Sequence, residues 1–107
     1  MIEFVRNFND EPNGDEKDIV VEQVFDGPFR RLVEVRLQNG AVLSRHKADV
    51  PITVFCLSGN GRFSAGHELE ESTVLTTGAL ITLDAGIEHE VAAEPKLRIL
   101  VSKFKDS

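Results

Sequence analysis

The most constraining feature of this sequence is its punctuation. From residue 19 onward, short runs rich in Val, Ile, Phe and Thr are cut by Gly, Pro, Asn or Asp at intervals of about 8–12 residues, and no window carries a helical repeat. Residues 19–25 (IVVEQVF) read as a strand, and Asp26-Gly27-Pro28 is turn chemistry. Residues 31–38 alternate, with Val33, Val35 and Leu37 on one face and Glu34, Arg36 and Gln38 on the other. Asn39-Gly40 predicts a tight hairpin into a strand over 41–47. Residues 52–57 (ITVFCL) are apolar enough for burial on both faces, and Gly59-Asn60-Gly61 predicts a turn into 62–65. Residues 73–76, 79–83, 87–92 and 96–104 complete about nine or ten strands, with 67–72 as a hairpin tip. Such a chain is all-β, a sandwich or barrel.

One domain accounts for all 107 residues. Residues 1–18 read as an N-terminal strand or arm, apolar over 2–8, followed by a flexible acidic loop; residues 19–107 form the barrel. A net charge of −6 makes the chain a poor nucleic-acid binder, because neutralising phosphate is the main source of that affinity. No run approaches the length of a membrane span. The single Cys56 cannot form an internal disulfide, and residues 1–6 carry an early Glu3 and no apolar signal core, so the expected compartment is the cytoplasm.

Two blocks carry more than strand character. In the first, Gly40, His46 and Gly59 stand at the spacing Gly, five residues, His-x-His, three or four residues, Glu, six residues, Gly. In the second, Gly78, Gly86 and His89 stand at the spacing Gly, five residues, Pro-x-Gly, two residues, His, three residues, Asn. Together they cover about half the chain and resemble the two signature motifs of the cupin superfamily. The resemblance implies a cupin-type, RmlC-like jelly-roll β-barrel, similar to small single-domain conserved-barrel cupins. It also implies a homodimer paired through the sheets, with the arm over residues 2–8 crossing to the partner. Phe25, Phe29, Phe55 and Phe63 would serve the core or that interface.

The departures from the motifs are as informative as the matches. The second histidine position holds Ala48, the glutamate position Ile52, the proline position Asp84 and the asparagine position Ala93. Of the four family metal-ligand positions, His46 and His89 remain. Two imidazoles with waters would hold a divalent Fe, Mn, Ni or Zn ion only weakly, since protein zinc sites use three or four ligands. The leading expectation is therefore a small molecule bound in the barrel at a site over His46, His89, Ile52, Val54 and Cys56. Cys56 shares their strand parity as a small buried hydrophobe. The alternatives are a metal-dependent oxygenase or isomerase using His46 and His89, and a barrel with no ligand chemistry. His67 reads as a solvated tip, and Arg45, Lys47, Glu88 and Glu90 as strand charges facing away from the histidines.

Overall fold

The computed structural model describes residues 1–8 and 17–105 and contains seven strands and no helix among them. They are β1 (Ile19–Asp26), β2 (Arg30–Leu37), β3 (Val42–His46), β4 (Ile52–Ala65), β5 (Glu71–Thr76), β6 (Leu80–Leu83) and β7 (His89–Phe104). All pairings are antiparallel, in the order β1-β2-β7-β4-β5, with β3 on β7 and β6 on β4.

Two long strands organise the barrel. The first part of β4, residues 52–55, pairs with β6, and its last part, residues 60–65, pairs with β5. Likewise the start of β7 pairs with β3 and its end, residues 97–104, with β2. Each long strand therefore belongs to two layers, and its middle must bend. In β4 the bend falls at bulges between Cys56 and Ser58 and between Gly59 and Gly61. Gly59 has φ +91°, and a Cβ there would collide with the carbonyl oxygen of Lys96; one on Gly61 would crowd that of Ala92. Only glycine lets β4 approach β7 this closely.

This corrects the expected strand count. Gly59-Asn60-Gly61 is a bulged bend inside one strand and not a turn, and residues 87–92 and 96–104 are largely merged in β7. The hairpin expected at Asn39-Gly40 is also absent, although the turn is there. Asn39 and Gly40 have φ values of 57° and 71°, and Ala41 N–H donates to the Gln38 carbonyl at 3.1 Å. The strands it joins then diverge, β2 to the end of β7 and β3 to its start. Hairpin geometry at a turn does not oblige its flanking strands to pair with each other.

Between the layers, Val33, Val35 and Leu37 of β2 pack with Ile52, Val54 and Cys56 of β4, Leu75 of β5 and Ile99 of β7 in one buried cluster. Each fully buried aliphatic side chain contributes about 1.5–3 kcal/mol relative to exposure. Burial of residues 52–57 on both faces does not hold: Ile52, Val54 and Cys56 are buried, but Phe55 on the outer face is 38% exposed. Phe29 is exposed too, whereas Phe63 is in the core.

Glu34 faces outward from the barrel, yet is 0% exposed. The cover is the N-terminal segment. Arg98 Nε donates to the Glu34 carboxylate, Arg6 Nη2 donates to it at 3.2 Å, and Arg36 Nη1 lies 3.4 Å away. The Phe8 carbonyl accepts from Arg98 Nη1 at 2.9 Å, and Phe4 packs on Phe25 with centroids 5.6 Å apart. Residues 1–8 thus form no strand; they lie on this chain's own sheet, latched to a buried carboxylate. The loop expected over 9–18 falls mostly outside the described residues.

Candidate functional site

The register of β3 against β7 brings the two motif histidines together. His46 and His89 are direct cross-strand partners, so their side chains share a face. Their rings meet edge to face with centroids 4.2 Å apart, and Phe63 stacks on the other side of His89 at 5.6 Å. His89 is 4% exposed, whereas His46 is exposed at the strand end.

Each ring is held the same way. His46 Nδ1 lies 2.7 Å from the Ser44 carbonyl oxygen, and His89 Nδ1 lies 3.0 Å from that of Ile87. A carbonyl only accepts, so the geometry assigns the proton to Nδ1 and leaves Nε2 with its lone pair in each neutral ring. Burial pushes the His89 imidazole below the ordinary histidine value; the bond to Ile87 opposes this, and the positive charges of His46 and Lys103 add to it. His89 is therefore a neutral acceptor at pH 7.

Both rings line a cavity of about 230 Å³ inside the barrel. Its walls are mainly aliphatic, among them Val35, Ile52, Val54 and Val101. Of the expected set of His46, His89, Ile52, Val54 and Cys56, the first four are thus brought to one place. Cys56 is not: it shares their inward parity but is fully buried beyond the cavity wall. Its thiol donates to the Ser58 carbonyl at 3.6 Å, and burial pushes its pKa up, which suits an inert core residue.

Ala48 and Ile52 line this same cavity. The two positions where further metal donors would stand are therefore at the site, and both are apolar. Among the described residues no group of three or more His, Cys, Asp or Glu side chains is placed to hold a metal ion. A two-imidazole set falls short of the three or four protein ligands of a tight site.

Strand alternation misplaced one charged residue and overlooked another. Lys47 lines the cavity, because β3 ends at His46 and period-two alternation ends with it. Lys103 also lines it; the signal was available, since Leu97, Ile99, Val101 and Lys103 share one face of β7. Arg45 and Glu88 do face away, but they pair with each other, Arg45 Nε donating to Glu88 Oε2 at 3.0 Å. This bridge ties the end of β3 to the residue before His89. His67 is an exposed tip residue outside the cavity, beside Glu70, Asp84 and Glu88 in a separate hollow.

At the level of sequence, no family model and no curated protein matches the chain. Solved structures do match it in fold. An RmlC-like cupin protein from Desulfovibrio desulfuricans superposes with a TM-score of 0.80 at 20% identity, over 92% of this chain and 93% of that one. A cupin superfamily protein from Desulfitobacterium hafniense gives 0.78 at 12% identity, over 89% and 84%. A cupin 2 conserved barrel domain protein from Leptotrichia buccalis gives 0.76 at 22% identity, over 88% of this chain and 44% of that longer one. The fold is the cupin jelly-roll barrel that the resemblance of the two sequence blocks implied.

Proposed function

We propose that this small cupin-fold protein binds a small organic molecule inside its barrel, with His46 and His89 as a pair of hydrogen-bond acceptors. The observation that carries this reading is the cavity itself: an aliphatic chamber with two imidazoles, each with its Nδ1 set against a backbone carbonyl. Ligand sites in general combine apolar walls with a few fixed polar groups. A bound O–H or N–H would find an Nε2 lone pair on either ring, and Phe63 stacked on His89 favours one ring orientation. A filled barrel would have favoured a scaffold without ligand chemistry; this barrel is not filled.

The reading is tested by ligand-detected NMR of a metabolite collection against the wild type and Ala48→Phe, which puts a ring into the cavity. Small molecules that bind the wild type and are displaced from the folded variant support it. Binding that is indifferent to Ala48→Phe places the ligand elsewhere and sinks it.

A weakly held divalent metal on His46 and His89 is the second reading, favoured by the 4.2 Å approach of two rings with free Nε2 atoms. Titration with Ni, Mn, Fe and Zn separates the two. A site tighter than about 100 μM, roughly −5.5 kcal/mol, that is lost in His89→Ala would move the metal reading ahead.

A further inference from the structure

The whole chain carries a net charge of −6, yet the cavity has the opposite local character. Among the described residues, its only charged lining groups are Lys47 and Lys103, and none of its lining residues is acidic. Neither lysine is held in an ion pair among the described residues, while the nearby bridge of Arg45 and Glu88 and the pairs around Glu34 show acids elsewhere taken up by arginines. Lys103 is close enough to His89 for its charge to act on that ring.

A third cation stands beside them. Arg31 on β2 is the cross-strand partner of Lys103, so its side chain leaves the sheet on the same face. Its Nε is buried without a hydrogen-bond partner. The acid across from Arg31 on its other side, Asp26, is bonded by Lys105 and feels Arg31 only as a nearby charge. Lys47 is exposed and Lys103 and Arg31 are half-buried, so three like charges gathered at the edge of an apolar chamber repel one another unless an anion answers them.

We propose that the cavity selects small organic anions, namely monocarboxylates with a compact apolar body, and that Lys47 and Lys103 are the residues that read the charge. This deepens the proposed function and rests on it. The apolar body lies against Val35, Ile52 and Val54, and the carboxylate reaches the lysines. Size sets the scale: an apolar cavity of about 150 Å³ holds benzene, so 230 Å³ takes a single ring with a carboxylate.

The test uses 4-fluorobenzoate and its neutral counterpart 4-fluorobenzamide as probes, followed by fluorine NMR against the full chain. The expected result is binding of the benzoate about tenfold tighter than the amide at low salt, as two partly exposed charge contacts supply. That preference should shrink to within about twofold in Lys47→Gln/Lys103→Gln and persist in Lys103→Arg, which keeps the charge. Thermal melting confirms that the variants fold. Should the two probes bind the wild type equally, with both displaced by Ala48→Phe, anion selection is overturned while the proposed function stands. If the preference survives in the double glutamine variant, the lysines are not its source and the inference falls. Binding of neither probe at millimolar concentration removes the monocarboxylate class and leaves the broader reading to the metabolite screen.

Discussion

His46 and His89 face each other across the β3–β7 pairing with ring centroids 4.2 Å apart, each with Nδ1 against the carbonyl oxygen two residues before it. The repeated local bond matters as much as the proximity. It orients both rings from the backbone, without a carboxylate, and turns each Nε2 away from the chain's own carbonyls. The pair is then an acceptor set, and what it lacks as a metal centre lies at two identifiable wall positions.

Restoring donors at those positions should create a metal site. In Ala48→His/Ile52→Glu, an imidazole and a carboxylate join His46 and His89 in one cavity. Calorimetric titration should show affinity for Ni or Mn raised by about 100-fold or more over the wild type, since the set moves from two donors to four. An unchanged affinity in a folded double variant would mean that these positions do not face the histidines.

The histidine pair was legible through the resemblance to the two cupin motifs, whose intervals Gly40 to His46 and Gly78 to His89 match. The inward faces of β2 and of residues 52–56 were legible directly, since period-two alternation is a local property. What was not legible is set by long-range contacts. Glu34 reads as a surface charge, and it is buried among Arg36 of its own strand, Arg98 of the neighbouring strand and Arg6 of the N-terminal segment. Lys47 reads as outward-facing because nothing local announces that β3 stops one residue earlier. Gly59 reads as a turn because a bulge and a turn use the same residue; the difference lies in the Lys96 carbonyl pressed against it.

That close approach gives a second prediction. Gly59→Ala must place a Cβ against the Lys96 carbonyl at φ +91°, while Gly40→Ala meets nothing within 4 Å at φ +71°. Gly40→Ala should cost about 1–2 kcal/mol, the ordinary cost of left-handed backbone for an L-residue. Gly59→Ala should cost clearly more, because β4 and β7 must also separate. Urea unfolding of both variants decides it, and equal losses would contradict the close packing at the bend.

Glu34 is the stability centre of the outer face. Glu34→Gln leaves Arg98 buried with no carboxylate, and removal of one partner of a buried pair costs about 3–5 kcal/mol. Arg6→Ala should cost less, because Arg6 is partly exposed and Arg98 and Arg36 remain on the carboxylate. Its distinctive signature is faster proteolysis near residue 6, since the segment loses its bonds to Glu22 and Glu34. Chemical denaturation and limited proteolysis should therefore separate the two variants, the first by stability and the second by cleavage pattern.

Acid should weaken the barrel through His89. Its folded pKa lies below the ordinary value, with burial as the main cause. Above the unfolded pKa of about 6.5 both states are neutral and the group contributes no pH dependence. As the pH falls below that value, the unfolded chain takes up a proton that the folded chain resists, so stability declines until the folded pKa is reached. The slope from this one group cannot exceed about 1.4 kcal/mol per pH unit. Melting temperatures measured between about pH 7 and 5 should fall for the wild type, and fall less for His89→Phe, which keeps an aromatic ring against Phe63. An identical pH profile in the two proteins would show that His89 accepts its proton in the folded state as readily as in the unfolded one.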